Sequence, residues 1–236
     1  MCNEAKKLKK FVMQVPKCGV EPAGWEVTFY NGGSGNQNQG TVTKATAKTY
    51  DFATWSAEDL SKFGGEQYTD SKGTAKNTLK SPSGETELST GAVIYNKAAN
   101  AIMIRTKSTS DTTPTGLNYN GGIANSIASG IAIDSLDRYV AIPVDGAGTV
   151  TASVKIVNSS SKTGTLQVAF VDADGKLLGK LVTANVADGI ITGSDKNTGN
   201  ITGTVSAAGT VYLAFSRNGA SGGGMDVYSI TVTPAE

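Results

Sequence analysis

The sequence predicts an all-β protein: an antiparallel, jelly-roll-like β-sandwich carried behind a short N-terminal β-ribbon arm. Three observations lead there. Apolar and polar residues alternate at period two over several stretches, as where Val150, Ala152, Val154 and Ile156 interleave with Thr151, Ser153 and Lys155. These stretches are short and are divided at regular spacing by Gly, Asn and Asp turns, the pattern of sandwiches and barrels. A segment with no apolar residue, NGGSGNQNQG over 31–40, separates the first thirty residues from the rest and has the composition of a tether. The expected organisation is an arm over 1–30, a polar linker over 31–47 and a sandwich over 48–236.

In the arm, Lys10–Val15 and Trp25–Tyr30 read as two short strands around a turn segment holding Pro16, Gly19, Pro22 and Gly24. Two strands alone do not hold together in water, so the ribbon needs a surface to pack on. In the body only Ser56–Phe63 reads as helix, with Ser56 as N-cap and Glu58 and Asp59 in the first turn. Strands are expected at Ala92–Tyr95 and Ala101–Thr106, joined by a turn over Asn96–Asn100. Further strands follow at Tyr139–Val144, Gly148–Asn158, Thr165–Asp172, Lys176–Asn185, Ile201–Ser206, Thr210–Ser216 and Met225–Pro234. Leu166, Val168 and Phe170 give one core face and Val211, Leu213 and Phe215 another, while Val227, Ile230 and Val232 repeat less regularly.

Only 17% of the 236 residues are charged and the formal net charge is +1. Such a body exerts no general pull on nucleic acid or acidic lipid, and no apolar run approaches the ~20 residues of a membrane-spanning helix. Histidine is absent. That argues against Ser-His and Cys-His nucleophiles and against nearly all zinc-enzyme ligand sets, so the chain reads as a non-enzyme with no cofactor and no metal. Charge is unevenly placed: Lys6, Lys7, Lys9, Lys10 and Lys17 against Glu4 make the first seventeen residues basic and leave the remainder slightly acidic. Cys2 and Cys18 either stay free or pair, and Cys2 would be the acylated residue if an export signal once preceded it.

Asp172-Ala173-Asp174-Gly175 has the look of a calcium loop, but no further oxygen ligands follow at the required spacing, so a hairpin turn is expected. Gly222-Gly223-Gly224 leads into a strand rather than a helix and reads as a connection, not a phosphate cradle. Carboxylates such as Asp134, Asp137, Asp188, Asp195 and Asp226 are scattered with no sign of a converging pair. The aromatic residues say more. Trp55, Tyr68, Tyr95 and Tyr119 sit in or beside Gly/Asn/Thr-rich stretches such as Gly116-Leu117-Asn118-Tyr119-Asn120-Gly121-Gly122. A flat ring beside amide side chains stacks on a sugar and hydrogen-bonds its hydroxyls; Trp55, Tyr68, Asn118, Tyr119 and Asn120 are the candidate glycan-binding residues.

The second half of the body carries Leu136-Asp137-Arg138-Tyr139-Val140-Ala141-Ile142-Pro143-Val144, then Gly164-Thr165-Leu166-Gln167-Val168-Ala169-Phe170-Val171-Asp172. It ends on Gly209-Thr210-Val211-Tyr212-Leu213-Ala214-Phe215-Ser216 and Met225-Asp226-Val227-Tyr228-Ser229-Ile230-Thr231-Val232. This run resembles the β-sandwich accessory domains of Bacteroidota pectate lyases, and Tyr50-Asp51-Phe52 with Trp55 looks like their first strand. The resemblance implies a non-catalytic module that binds polysaccharide or acts as a spacer.

A body built for display, an arm that needs a scaffold and no visible export signal together suggest a protein released by cell lysis. The leading expectation is a virion structural protein, as in bacteriophage head decoration or head-fibre subunits, sited on the virion surface. Lys6, Lys7, Lys9, Lys10, Phe11, Val12, Trp25, Phe29 and Tyr30 would anchor it to the capsid or another large assembly, with a cell-surface glycan as a further partner. Symmetric assemblies of this kind make a homo-oligomer expected. The alternative is a bacterial surface lipoprotein or carbohydrate-binding module of a polysaccharide-degrading system, at the cell surface or extracellular.

Overall fold

The computed structural model describes residues 42–63, 65–120, 127–157, 165–185, 198–218 and 224–236. The arm, with its expected strands, both cysteines and anchoring residues Lys6, Lys7, Lys9, Lys10, Phe11, Val12, Trp25, Phe29 and Tyr30, lies outside the described residues.

Pairing begins ahead of residue 48. Ala45 is buried, and its N–H donates to the Ala147 carbonyl at 2.8 Å, so the last residues assigned to the linker belong to the sandwich. Strand β1 (Lys48–Asp51) leads to helix α1 (Ala57–Lys62), where the Ser56 hydroxyl accepts the Asp59 N–H at 3.0 Å as the cap its position predicts. Strands β2 (Gln67–Thr69), β3 (Ala75–Leu79), β4 (Gly84–Glu87), β5 (Val93–Asn96), β6 (Ile102–Thr106) and β7 (Pro114–Tyr119) follow. A 3-10 turn over Ile133–Ser135 precedes β8 (Arg138–Val144), β9 (Gly148–Val157), β10 (Thr165–Val171) and β11 (Val182–Asn185). The chain closes with β12 (Thr198–Val205), β13 (Gly209–Asn218) and β14 (Gly224–Pro234).

These strands form two antiparallel sheets. The larger runs β12-β9-β14-β7-β6-β3-β2, with β1 on β14, and the smaller runs β11-β10-β13-β8-β5-β4. One long edge of β14 pairs with β9; the other is shared by β7, at Met225–Val227, and β1, at Ser229–Val232. The register shifts between Val227 and Ser229, so one extra residue at Tyr228 lets both Val227 and Ile230 face inward. The irregular spacing of apolar residues in this stretch of sequence is that bulge.

The core lies between the sheets. Ile104, Leu117, Val154 and Val227 from the larger sheet meet Ile94, Val140, Phe170 and Leu213 from the smaller, all 1% exposed or less. Asn96 ties the sheets at one end: its amide accepts the Ile102 N–H at 2.6 Å and donates to the Ile102 carbonyl at 3.1 Å, standing in for a neighbouring strand. A second apolar layer covers the outer face of the smaller sheet, where Ile127, Ile131, Ile133 and Leu136 lie over Tyr139, Ala169, Val171 and Ala214.

Two sequence expectations are corrected. Lys176–Asn185 is not one strand: Val182–Asn185 pairs with β10, whereas Leu177 makes an isolated bridge to Val171, and the Leu178 carbonyl accepts the Thr204 N–H at 2.7 Å as the chain crosses toward β12. The Gly/Asn/Thr-rich stretch around Asn118, where no strand is expected from the sequence, contains strand β7. Asp172–Gly175 is a turn, with the Gly175 N–H donating to the Asp172 carbonyl at 3.0 Å and Gly175 at φ 72°. No helix among the described residues is long and apolar enough to cross a membrane.

Candidate functional site

Strand alternation builds the site. With Leu79, Ile104, Leu117 and Val227 turned into the core, their neighbours Thr78, Arg105, Asn118 and Asp226 face the outer side of the larger sheet. Thr78 lies opposite Arg105 in register, and Asn118 lies between Met103 and Asp226. Over β3, β6 and β7 this face is hollowed into a cavity of about 290 Å³, walled by Tyr68, Asp70 and Lys76 and bordered by Asn77 and Asn120.

Charges in the cavity come in pairs. Arg105 reaches across β7 to Asp226, with Nε 3.7 Å from Oδ2. Gly116 lies opposite it in register; a Cβ there would stand 2.8 Å from the Val227 carbonyl, at φ 154°. Asp226 is 4% exposed and accepts the Asn118 amide at 2.6 Å. Burial pushes the Asp226 carboxyl up, against the opposing pull of Arg105 and Asn118. On the wall, Lys76 Nζ sits 2.9 Å from Asp70 Oδ2, while Asp70 Oδ1 accepts the N–H groups of Lys72 and Thr74 at 2.9 Å each. The Lys76 ammonium and these amides hold the Asp70 carboxyl down at about 2. Gln67 pins β2 to the neighbouring loop by donating to the carbonyls of Lys76 and Thr109.

One atom beneath the floor stands apart. The Thr78 hydroxyl is buried, in a residue 2% exposed, and has no hydrogen-bond partner among the described residues. Leaving such a group unpaired costs ~1–3 kcal/mol.

Of the candidate residues, Tyr68, Asn118 and Asn120 come together at this cavity. Tyr119 borders it too, but its side chain is fully buried: the hydroxyl donates to the Leu213 carbonyl at 3.2 Å, and the ring meets Phe215 edge-on at 5.2 Å. Trp55 lies elsewhere, its indole N–H donating to the Phe52 carbonyl at 2.7 Å and its ring edge-on to Phe63 at 5.3 Å. Tyr95 stacks on Tyr139 at 4.9 Å on the outer face of the smaller sheet, the opposite side of the sandwich. Thr78 and Arg105 were not singled out from the sequence. The signal for Arg105 was available in Ile102-Met103-Ile104-Arg105-Thr106, where an arginine interrupts a buried strand on its outward side.

The arrangement presents hydroxyl, amide and guanidinium groups beside a half-buried tyrosine ring, a set suited to a ligand rich in hydroxyls. No protein-family model matches the chain, and no curated protein does. Solved structures do. A xylan-binding module CBM15 is similar at 12% identity and TM-score 0.34, over 67% of this chain and 98% of that one. The C-terminal CBM6 of the laminarinase LamC from Zobellia galactanivorans is similar at 13% identity and TM-score 0.29, over 80% and 99%. The CBM22-1-GH10 modules of Clostridium thermocellum xylanase 10B are similar at 13% identity and TM-score 0.25, over 49% and 24%. At these TM-scores and identities the likenesses carry no argument about ligand or role.

Proposed function

We propose that the sandwich is a carbohydrate-binding module that seats its ligand in the cavity lined by Tyr68, Arg105 and Asn118. The observation that carries this reading is the meeting of the half-buried Tyr68 ring with the Asn118 amide and the Arg105 guanidinium at one cavity. Sugar hydroxyls seated there can accept from the guanidinium and pair with the amide, and the Tyr68 ring supplies the stacking surface that sugars take. At about 290 Å³ the cavity sits near the lower end of the ~300–1,000 Å³ typical of small-molecule sites, the scale of one or two sugar rings. The test is calorimetric titration of the full chain with soluble oligosaccharides chosen from a glycan array. Binding is expected, and Tyr68→Ala should weaken it by about tenfold or more with the thermal transition unchanged. Silence across the array from a folded protein, or an unchanged Kd in Tyr68→Ala, overturns the reading.

The setting we propose for the module is display on a larger assembly, with a virion as the leading case and a bacterial cell surface as the alternative. What supports it is sequence alone: the basic residues Lys6, Lys7, Lys9 and Lys10 beside Phe11 and Val12, followed by a tether without apolar residues. Deleting residues 1–30 should abolish incorporation into particles and leave glycan binding intact; unchanged incorporation refutes the anchoring role.

A further inference from the structure

Resting on the glycan reading above, we propose that the cavity is built for an uncharged stretch of glycan and turns away uronate and sulfated sugars. The argument is one of charge balance at close range. The cavity walls carry two cations, and each already has a carboxylate of its own: Lys76 has Asp70 at 2.9 Å, and Arg105 has Asp226 at 3.7 Å. A lectin-like site for acidic sugars needs a cation whose charge is available. Here a ligand carboxylate reaching Arg105 would also come close to the Asp226 carboxylate.

The position of Asp226 sharpens that repulsion. Its side chain is 6% exposed, so little water lies around it to screen a second negative charge. It also cannot turn aside readily, because the Asn118 amide holds one of its oxygens at 2.6 Å. Lys155 stands opposite it in register on β9, but is exposed and does not line the cavity. Hydroxyl groups meet no such penalty. They can accept from the guanidinium without disturbing either ion pair.

The experiment titrates the full chain with neutral hexose and pentose oligosaccharides, an oligogalacturonate and a sulfated oligosaccharide, each at low and high salt. The wild type should prefer its best neutral ligand over either acidic one by about tenfold or more, with a Kd that salt does not move. Asp226→Asn keeps the shape and uncovers the Arg105 charge, so affinity for the acidic oligosaccharides should rise about tenfold and become salt-sensitive. Asp70→Asn at the more accessible wall uncovers Lys76 in the same way and serves if the Asp226 variant does not fold. Wild-type preference for an acidic sugar, or no gain in either folded variant, overturns the charge inference while leaving the glycan reading standing. Failure to bind any of the sugars sinks the glycan reading and this inference with it.

Discussion

Replacing Asn96 by alanine tests how the two sheets are joined. Asn96 is 1% exposed, and its amide makes four hydrogen bonds: to the Ser81 hydroxyl at 3.2 Å, the Pro82 carbonyl at 3.2 Å, and both backbone groups of Ile102. Ile102 is itself fully buried, and its register partner Tyr119 is flanked by the Asn120 N–H donating to the Ala101 carbonyl, so the peptide groups of Ile102 point away from β7 toward Asn96. Alanine leaves an N–H and a carbonyl stranded in the interior. Each stranded group costs ~1–3 kcal/mol, so a loss of about 3 kcal/mol is expected after partial relaxation. Urea unfolding followed by tryptophan fluorescence reads it out: at ~2 kcal/mol per M, the midpoint should fall by about 1.5 M with the slope preserved. Thr202→Ala, on the exposed side of β12, should move it by no more than ~0.5 kcal/mol. A loss below about 1 kcal/mol for Asn96→Ala would mean that Ile102 finds other partners and that the amide is no substitute strand.

Other outcomes follow from single contacts. Gly175→Ala places a Cβ 1.7 Å from the Ile131 carbonyl at φ 72°, so the turn and the apolar cover must separate; a loss of at least ~2 kcal/mol is expected in thermal melts. Asp70 titrates at about 2 rather than 3.8, so its contribution to stability is complete above 3.8 and fades as pH falls toward about 2. Asp70→Asn should therefore flatten the acid limb of the melting-temperature profile, and an unchanged limb would contradict the Lys76 pairing. Burial, reinforced by the Glu85 carboxylate whose Oε1 accepts its hydroxyl at 3.2 Å, pushes Tyr139 up to about 12. Ultraviolet titration should show one phenol ionising there, and Glu85→Gln should bring it down.

The sequence was most legible where a strand has one buried face and one wet face. Leu166, Val168 and Phe170 announce β10, and Ser56 with Glu58 and Asp59 announces α1, because local spacing alone decides those elements. It was least legible at β7, and the reason lies in what its neighbours require. Leu117 and Tyr119 do alternate inward, but the outward residues between and beside them are Gly116 and Asn118, types that signal turns. A Cβ at Gly116 would press on the Val227 carbonyl, and Asn118 holds Asp226, so the residues that disguised the strand are those its pairing with β14 requires. Thr78 was missed because a threonine in a short strand carries no mark of its neighbours. Convergence of Tyr68, Arg105 and Asn118 depends on β3 pairing with β6 across β4 and β5, which belong to the other sheet, and spacing along the chain does not encode that.

The bulge at Tyr228 makes β14 intolerant of a change in length. Upstream of it the strand is neighbour to β7 and displays Asp226; downstream it is neighbour to β1 and buries Ile230 and Val232. Removing a single residue there would rotate one of the two halves by half a turn, exchanging carboxylate for valine either at the cavity-facing surface or in the interior. Substitutions along this strand can thus drift, whereas insertions and deletions should be confined to the loops at its ends.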